Sequence, residues 1–144
     1  MFGSASRISP TPMRREGESS EISRSLRCGM EFDTFTVSLL VARANSAKLA
    51  QPEADALQDA HMDFLASLHE AGKLQAAGPF LNPMDRSFRG MCLHRIPPEE
   101  VSALFDKDPL VRAGRLSVQV FAWAVPKGAI AFSPTRFPHS QAEL

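Results

Sequence analysis

The sequence predicts one α+β domain in which strands and helices follow the order β-α-β-β-α-β. Three observations carry this prediction: an alternating apolar segment at residues 34–42, an amphipathic segment between Pro52 and Gly72, and an apolar segment at residues 116–125. Alternation with a period of two is typical of strands, and apolar spacing of three and four residues is typical of helices. The chain of 144 residues suits a single domain.

The first strand and first helix have the clearest patterns. Residues 34–42 are rich in β-branched side chains, with one face formed by Phe35, Val37, Leu39 and Val41. Pro52 lies at the start of the helix and Gly72 at its end, where these residue types are common. At roughly 100° per residue, one apolar stripe of the helix contains Leu57, His61, Phe64, Leu65 and Leu68.

The second half of the domain repeats the alternation of strand and helix. A short strand at residues 73–77 leads through a turn to a third strand at residues 88–96. A proline pair opens the second helix, which Asp108-Pro109 interrupts because proline disfavours helical backbone at the preceding residue. The last strand, at residues 116–125, is apolar on both faces.

This order predicts a ferredoxin-like fold, with a four-stranded antiparallel sheet and both helices on one face. The uncovered face of such a sheet is expected to be polar in a monomer. We assign to it four apolar residues, namely Leu40, Phe121, Trp123 and Val125. A second copy packed sheet against sheet would cover them, so we expect a homodimer.

Composition and spacing exclude several classes of partner. Sixteen basic and sixteen acidic residues balance, and without a basic excess we expect no nucleic-acid partner. No apolar run reaches the roughly 20 residues of a membrane helix, so we expect no membrane partner. Cys28 and Cys92 form neither a disulfide scaffold nor a metal pattern. We therefore expect no metal, no cofactor and a reducing cytoplasm.

The two ends of the chain differ from the domain at residues 31–127. Residues 1–30 are rich in Ser, Arg, Glu and Pro and lack apolar periodicity, which predicts a disordered N-terminal extension. Residues 128–144 include Pro134 and Pro138 and have weak patterning. We expect there an irregular C-terminal tail that lies over the surface or is disordered.

His61 is the first candidate for chemistry, because it lies inside the apolar stripe of the first helix. Position alone favours a core histidine bonded to a backbone carbonyl. The alternative is a histidine held by a carboxylate, which fixes one tautomer and tunes its basicity. Asp108 is the best partner, since the two helices lie side by side on the sheet. A turn or capping role is also common for an aspartate before proline.

A second candidate group lies around the start of the third strand. Gly78, Pro79 and Phe80 follow the second strand, where a glycine permits close approach of a ligand. Arg89 opens the third strand and could hold an anionic or carbonyl-bearing ligand. The residues alone favour the simpler interpretations, which are a tight turn and a solvated charge at the strand edge.

Together these residues resemble the YCII-related (YciI-like) family. The resemblance covers residues 32–125 and rests on three pieces in order: the run at residues 61–80, the pair Arg89-Gly90, and residues 106–114. It implies the dimeric α+β barrel group and a His–Asp pair in a pocket between helices and sheet, matching His61 and Asp108. The chain departs from the family in its terminal extensions.

The resemblance further implies a cofactor-independent enzyme with a small-molecule ligand. The His–Asp pair would serve acid/base elimination or isomerisation on a small cyclic or enolisable metabolite. On this interpretation the ligand contacts are Gly78, Pro79, Phe80 and Arg89. The sequence has no tyrosine, so no phenol can assist the histidine. Two alternatives stay open: a module that binds a metabolite without turnover, and a structural dimer with a core histidine.

Overall fold

The alternating segments form strands and the amphipathic segments form helices in the computed structural model, which describes residues 29–144. The elements are β1 (Phe32–Ala42), α1 (Gln51–Glu70), β2 (Ala76–Pro79), β3 (Phe88–His94), α2 (Pro98–Phe105), α3 (Pro109–Arg112) and β4 (Leu116–Pro126). The predicted extension at residues 1–30 lies almost wholly outside the described residues.

The four strands form one antiparallel sheet in the order β2-β3-β1-β4. In the central strand β1, Val37 lies opposite Leu93 of β3 and Phe121 of β4. This order and the helices on one face confirm the predicted ferredoxin-like α+β fold.

The core lies between the sheet and the helices. It combines side chains from the sheet with others from α1, α2 and the segment after α1: Leu40, Leu68, Leu74, Cys92, Val101, Phe105 and Leu116. Phe105 packs edge-on against Phe64, with ring centroids 5.6 Å apart. Apolar burial on this scale is the main stabilising term of a small domain.

The opposite face of the sheet is also apolar. Phe121 and Trp123 on it are 49% and 40% exposed, whereas Val125 is buried. The assignment of Leu40 to this face is wrong, because Leu40 belongs to the core beneath the helices. Side chains of neighbouring strand residues point to opposite faces, so Leu39 takes the outer position instead.

Strand β2 begins later than the predicted range of residues 73–77. Gly72 ends α1 with a φ of 75°, and Leu74 then packs into the core with 0% exposure. Pairing with β3 starts only at Ala76 and includes Gly78, which lies opposite Met91. Gly78 is therefore part of an edge strand and not of the turn after it.

The tail, residues 127–144, lies against the domain with one short 3-10 turn at Gln141–Glu143. The Phe132 ring packs edge-on against Phe35, with centroids 5.7 Å apart. The guanidinium of Arg95 lies 5.2 Å from the centre of the Phe132 ring. The later part of the tail contacts α1 through hydrogen bonds, among them one from the Gln141 backbone N–H to Asp59.

Candidate functional site

The imidazole of His61 contacts Asp108, the residue at the break between α2 and α3. Nδ1 of His61 lies 2.9 Å and 2.8 Å from the two carboxylate oxygens of Asp108. His61 is 6% exposed and Asp108 is 0% exposed. A carboxylate only accepts hydrogen bonds, so the His61 Nδ1–H donates to it in a buried contact.

The break that places Asp108 follows from the local sequence. Pro109 keeps the preceding residue out of the helical region, and Asp108 has extended backbone with φ −61° and ψ 126°. Its Oδ1 accepts the backbone N–H of Leu110 at 3.0 Å and so caps α3. The Asp108 carboxylate therefore both caps α3 and accepts the His61 Nδ1–H.

His61 lines a cavity of about 700 Å³, a size typical of small-molecule sites. Apolar side chains make up much of the wall, including Leu57, Met62 and Leu65 from α1. The hydrogen bonds of His61 use Nδ1, and within residues 29–144 none reaches Nε2. Nε2 is thus the ring atom available to a ligand.

The structure brings three of the four predicted ligand contacts to this cavity, namely Gly78, Pro79 and Arg89. Phe80 is not among the lining residues. It lies in a neighbouring pocket of about 370 Å³ together with Pro79 and Arg89. Phe80 is the first residue after β2, and its neighbour Pro79 lines both pockets.

Sequence reasoning missed two further arginines of the cavity. Arg43 and Arg115 line it with Arg89, whereas no Asp or Glu side chain of the described chain does. The Arg115 Nη1 donates to the carbonyl of Ala47 at 2.6 Å. Arg43 follows β1 and its N–H donates to the Arg115 carbonyl at 2.9 Å. The pairing of β1 with β4 was the signal that could have located both.

A second buried polar group lies on the same side of the sheet. The Ser38 Oγ and His94 Nε2 are 2.8 Å apart, and His94 Nδ1 lies 2.9 Å from the Lys73 carbonyl. The Nδ1–H therefore donates to that carbonyl, and Nε2 accepts the Ser38 hydroxyl. Burial lowers the pKa of His94 against the opposing effect of the Lys73 carbonyl, so the ring is neutral.

Cys92 lines the cavity but is almost wholly buried. Burial raises the pKa of its thiol to about 12; the Ser38 hydroxyl acts against this and the Asp108 charge adds to it. A thiol with so high a pKa is a poor nucleophile at neutral pH, because the thiolate is the reactive form.

Residues 29–144 contain neither a membrane-spanning helix nor a cluster of metal-ligating side chains. No helix there combines the length and the apolar character needed to cross a bilayer. No group of three or more His, Cys, Asp and Glu side chains in the same range is placed to hold a metal ion.

The fold and the site define a ferredoxin-like α+β protein with a buried His–Asp pair beside a ligand-sized cavity. The family model of the YCII-related domain matches residues 35–124. The chain therefore belongs to the YCII-related family, which confirms the resemblance found in the sequence.

One solved structure to which the chain is similar is 5-chloro-2-hydroxyhydroquinone dehydrochlorinase (TftG) from Burkholderia phenoliruptrix AC1100, in complex with 2,5-dihydroxybenzoquinone. The two share 23% sequence identity with a TM-score of 0.45, over 62% of this chain and 92% of the other. A comparison with curated proteins found no match.

Proposed function

We propose that this protein is an enzyme that moves a proton on a small cyclic or enolisable metabolite, with His61 as the base and Asp108 as its positioning partner. Elimination or isomerisation would follow with no metal or cofactor. One observation carries the proposal: Nδ1 of His61 contacts both oxygens of a fully buried carboxylate while the ring lines a cavity.

Asp108 sets the tautomer that a base needs. With the proton of the neutral ring on Nδ1, the lone pair of Nε2 is free for the ligand. Nε2 takes a proton from a carbon beside a carbonyl, and the C–H electron pair forms an enolate. In elimination a leaving group on the next carbon departs with its electrons as a double bond forms. In isomerisation the proton returns to a different carbon, and Asp108 stabilises the intermediate imidazolium.

The charge of the cavity favours a negatively charged ligand. Arg43, Arg89 and Arg115 line it, and arginine binds carboxylate, phenolate and enolate oxygens with charge-assisted hydrogen bonds. Charge that develops on the substrate would be stabilised by such groups and by backbone N–H groups near Gly78. The proposed substrate class is therefore a small anionic or carbonyl-bearing ring.

The test is turnover of a panel of halogenated phenols and lactones, with uptake of solvent deuterium as a second readout. His61→Ala and His61→Gln are expected to lose about 10²-fold or more, as for removal of a general base. Arg89→Gln is expected to raise KM, with Arg86→Gln as the matched control because Arg86 lies outside the cavity. If the wild type and His61→Ala bind these compounds equally well and neither turns them over, the proposal that the protein is an enzyme is refuted.

A second candidate is a module that binds the same ligand without turnover. It is favoured by the Cys92 thiol, which stays protonated at neutral pH and leaves His61 without a second acid or base among the described lining residues. The third alternative, a purely structural histidine, requires a ring sealed in the core. The position of His61 in the cavity wall does not support it.

The homodimer belongs to the same proposal. Its support is the part of the outer sheet face on which Phe121 and Trp123 are 49% and 40% exposed. A second copy packed face to face would bury these rings. The cytoplasmic compartment stays a prediction from the cysteine content.

A further inference from the structure

The later part of the tail lies along α1 and is held there by two histidines. His139, in the tail, lies between two carboxylates of α1. Its Nδ1 is 2.6 Å from Oδ1 of Asp63, and its Nε2 is 2.6 Å from Oε1 of Glu70. Carboxylates at both ring nitrogens require a donor at both, and only the doubly protonated ring provides two.

His69, on α1, contacts two carbonyl oxygens. Its Nδ1 lies 2.6 Å from the carbonyl of Leu74, and its Nε2 lies 3.0 Å from the carbonyl of Thr135 in the tail. Carbonyl oxygens only accept hydrogen bonds, so a ring nitrogen of His69 can serve such a contact only as a donor. The ring also stacks on Phe137 of the tail, with centroids 4.0 Å apart and planes 8° from parallel.

The segment held in this way forms part of the cavity wall. Phe137, Pro138 and Leu144 line the cavity opposite residues of the sheet such as Gly90 and Cys92. This segment lies beyond residues 35–124, the part of the chain that matches the family model. The wall is therefore an addition of this chain to the family domain.

We infer that residues 135–144 are a releasable wall of the cavity that limits the size of its ligand, held against α1 by the doubly protonated form of His139. The inference rests on the cavity as the ligand site of the proposed function, but not on any reaction there. A neutral His139 ring loses one of its two hydrogen bonds. The wall then loosens as the pH rises, and bulkier ligands gain access.

The charged groups around His139 determine that the wall loosens, and does not tighten, as the pH rises. Asp63 comes first and Glu70 second in raising the pKa of His139, against a smaller effect of desolvation. From the tail, the Glu143 carboxylate accepts the His139 backbone N–H at 2.9 Å and pairs with Arg136.

The two rings differ in their immediate surroundings. His69 faces the two carbonyls and the Phe137 ring. The carboxylates around His139 favour its protonated form. Because the pKa of His139 is raised in the folded protein, its hydrogen bonds to Asp63 and Glu70 give their full stabilisation below about pH 6.5. This stabilisation is lost as the pH rises through the raised pKa.

Hydrogen exchange measured by mass spectrometry tests the release. We compare peptides from residues 135–144 and from β1 at about pH 6 and about pH 8.5, on either side of the ordinary histidine range, after correction for intrinsic rates. In the wild type the protection of the tail peptide is expected to fall about tenfold for each pH unit by which Asp63 and Glu70 raise the pKa of His139. Protection of β1 stays unchanged.

The variant His139→Gln cannot carry the positive charge of a protonated ring and is expected to show low tail protection already at the lower pH. Glu100→Gln is the matched control, because it removes an exposed ion pair with Lys73 that involves no tail residue. Tail protection that is independent of pH in the wild type, or that falls together with β1, would refute the release.

Labelling of Cys92 tests the wall, because this buried thiol borders the cavity. In a Cys28→Ser background, one small reagent, methyl methanethiosulfonate, is compared with one bulky reagent, 4,4′-dithiodipyridine. At equal pH the thiolate fraction cancels between variants. Phe137→Ala is expected to increase the labelling rate of the bulky reagent more than that of the small one. His139→Gln is expected to have the same effect, but only at the lower pH.

An equal effect of Phe137→Ala on both reagents, or no effect on either, would overturn the role of the tail in ligand size. This readout involves neither turnover nor His61. Failure of the proposed enzyme would leave the labelling result intact, and failure of the wall would leave the turnover result intact.

Discussion

Replacement of Asp108 by alanine removes two separate interactions at one buried position. The carboxylate caps α3 through Leu110 and accepts the His61 Nδ1–H. Loss of a cap costs about 0.5–2 kcal/mol, and a buried donor left without a partner costs about 1–3 kcal/mol. The two losses add to about 1.5–5 kcal/mol, which is the decrease that we expect in the free energy of unfolding.

The matched variant is Asp108→Asn, which retains an oxygen that can cap α3 and an amide beside His61. We expect it to lose less than half as much stability as Asp108→Ala. The amide can donate to Nδ1, however, and this favours the tautomer whose proton lies on Nε2. Turnover is therefore expected to fall about 10²-fold or more, since that tautomer is not a base toward the cavity.

The assay is urea unfolding followed by the fluorescence of Trp123, with the slope checked for equality between variants. The reasoning would be refuted if Asp108→Ala lost less than about 1 kcal/mol, which is below the range for a buried donor left without a partner. It would also be refuted if Asp108→Asn were as unstable as the alanine variant, since the cap and the partner would then not explain the loss.

Four other outcomes are expected. In Gly90→Ala the new Cβ would lie 2.5 Å from the Gly78 carbonyl, whereas Gly78→Ala meets nothing within 4 Å; urea unfolding should show a loss of about 1–3 kcal/mol only in the first. Phe105→Ala, at 2% exposure, should lose about 3–5 kcal/mol. Burial lowers the pKa of His94 in the folded protein, so His94 takes up a proton at a higher pH in the unfolded chain than in the folded one. The free energy of unfolding should therefore decrease as the pH falls below about 6.5. The decrease should be smaller in His94→Leu. Trp123→Glu should convert a dimer to a monomer in sedimentation, and a monomeric wild type would contradict the homodimer.

The sequence was sufficient for most of the fold because β1, α1 and β4 have long regular patterns. It placed β2 too early for a physical reason. An edge strand of four residues has too few positions for a period to appear. Leu74 looked like a strand residue, whereas the chain uses it to fill the core directly after α1.

The contact between His61 and Asp108 could be predicted because a proline break in a helix marks one aspartate among many. The arginines at positions 43 and 115 could not be recognised as cavity residues, because solvated arginines are also common at strand ends. Their approach depends on the pairing of β1 with β4 across more than 70 residues. The contacts of the tail with α1 could not be predicted, because they are individual hydrogen bonds and a ring contact without a repeating pattern.

The double role of Asp108 affects how a loss of turnover at His61 should be interpreted. A buried carboxylate is stable only when its oxygens are paired. His61→Ala removes the donor to Asp108 as well as the base, so inactivity could follow from a displaced α3. His61→Gln can still donate an amide N–H to Asp108 but has no group that takes up a proton near neutral pH. If both variants are inactive and His61→Gln retains the unfolding free energy of the wild type, the loss is one of chemistry; if His61→Gln is as active as the wild type, His61 is not the base.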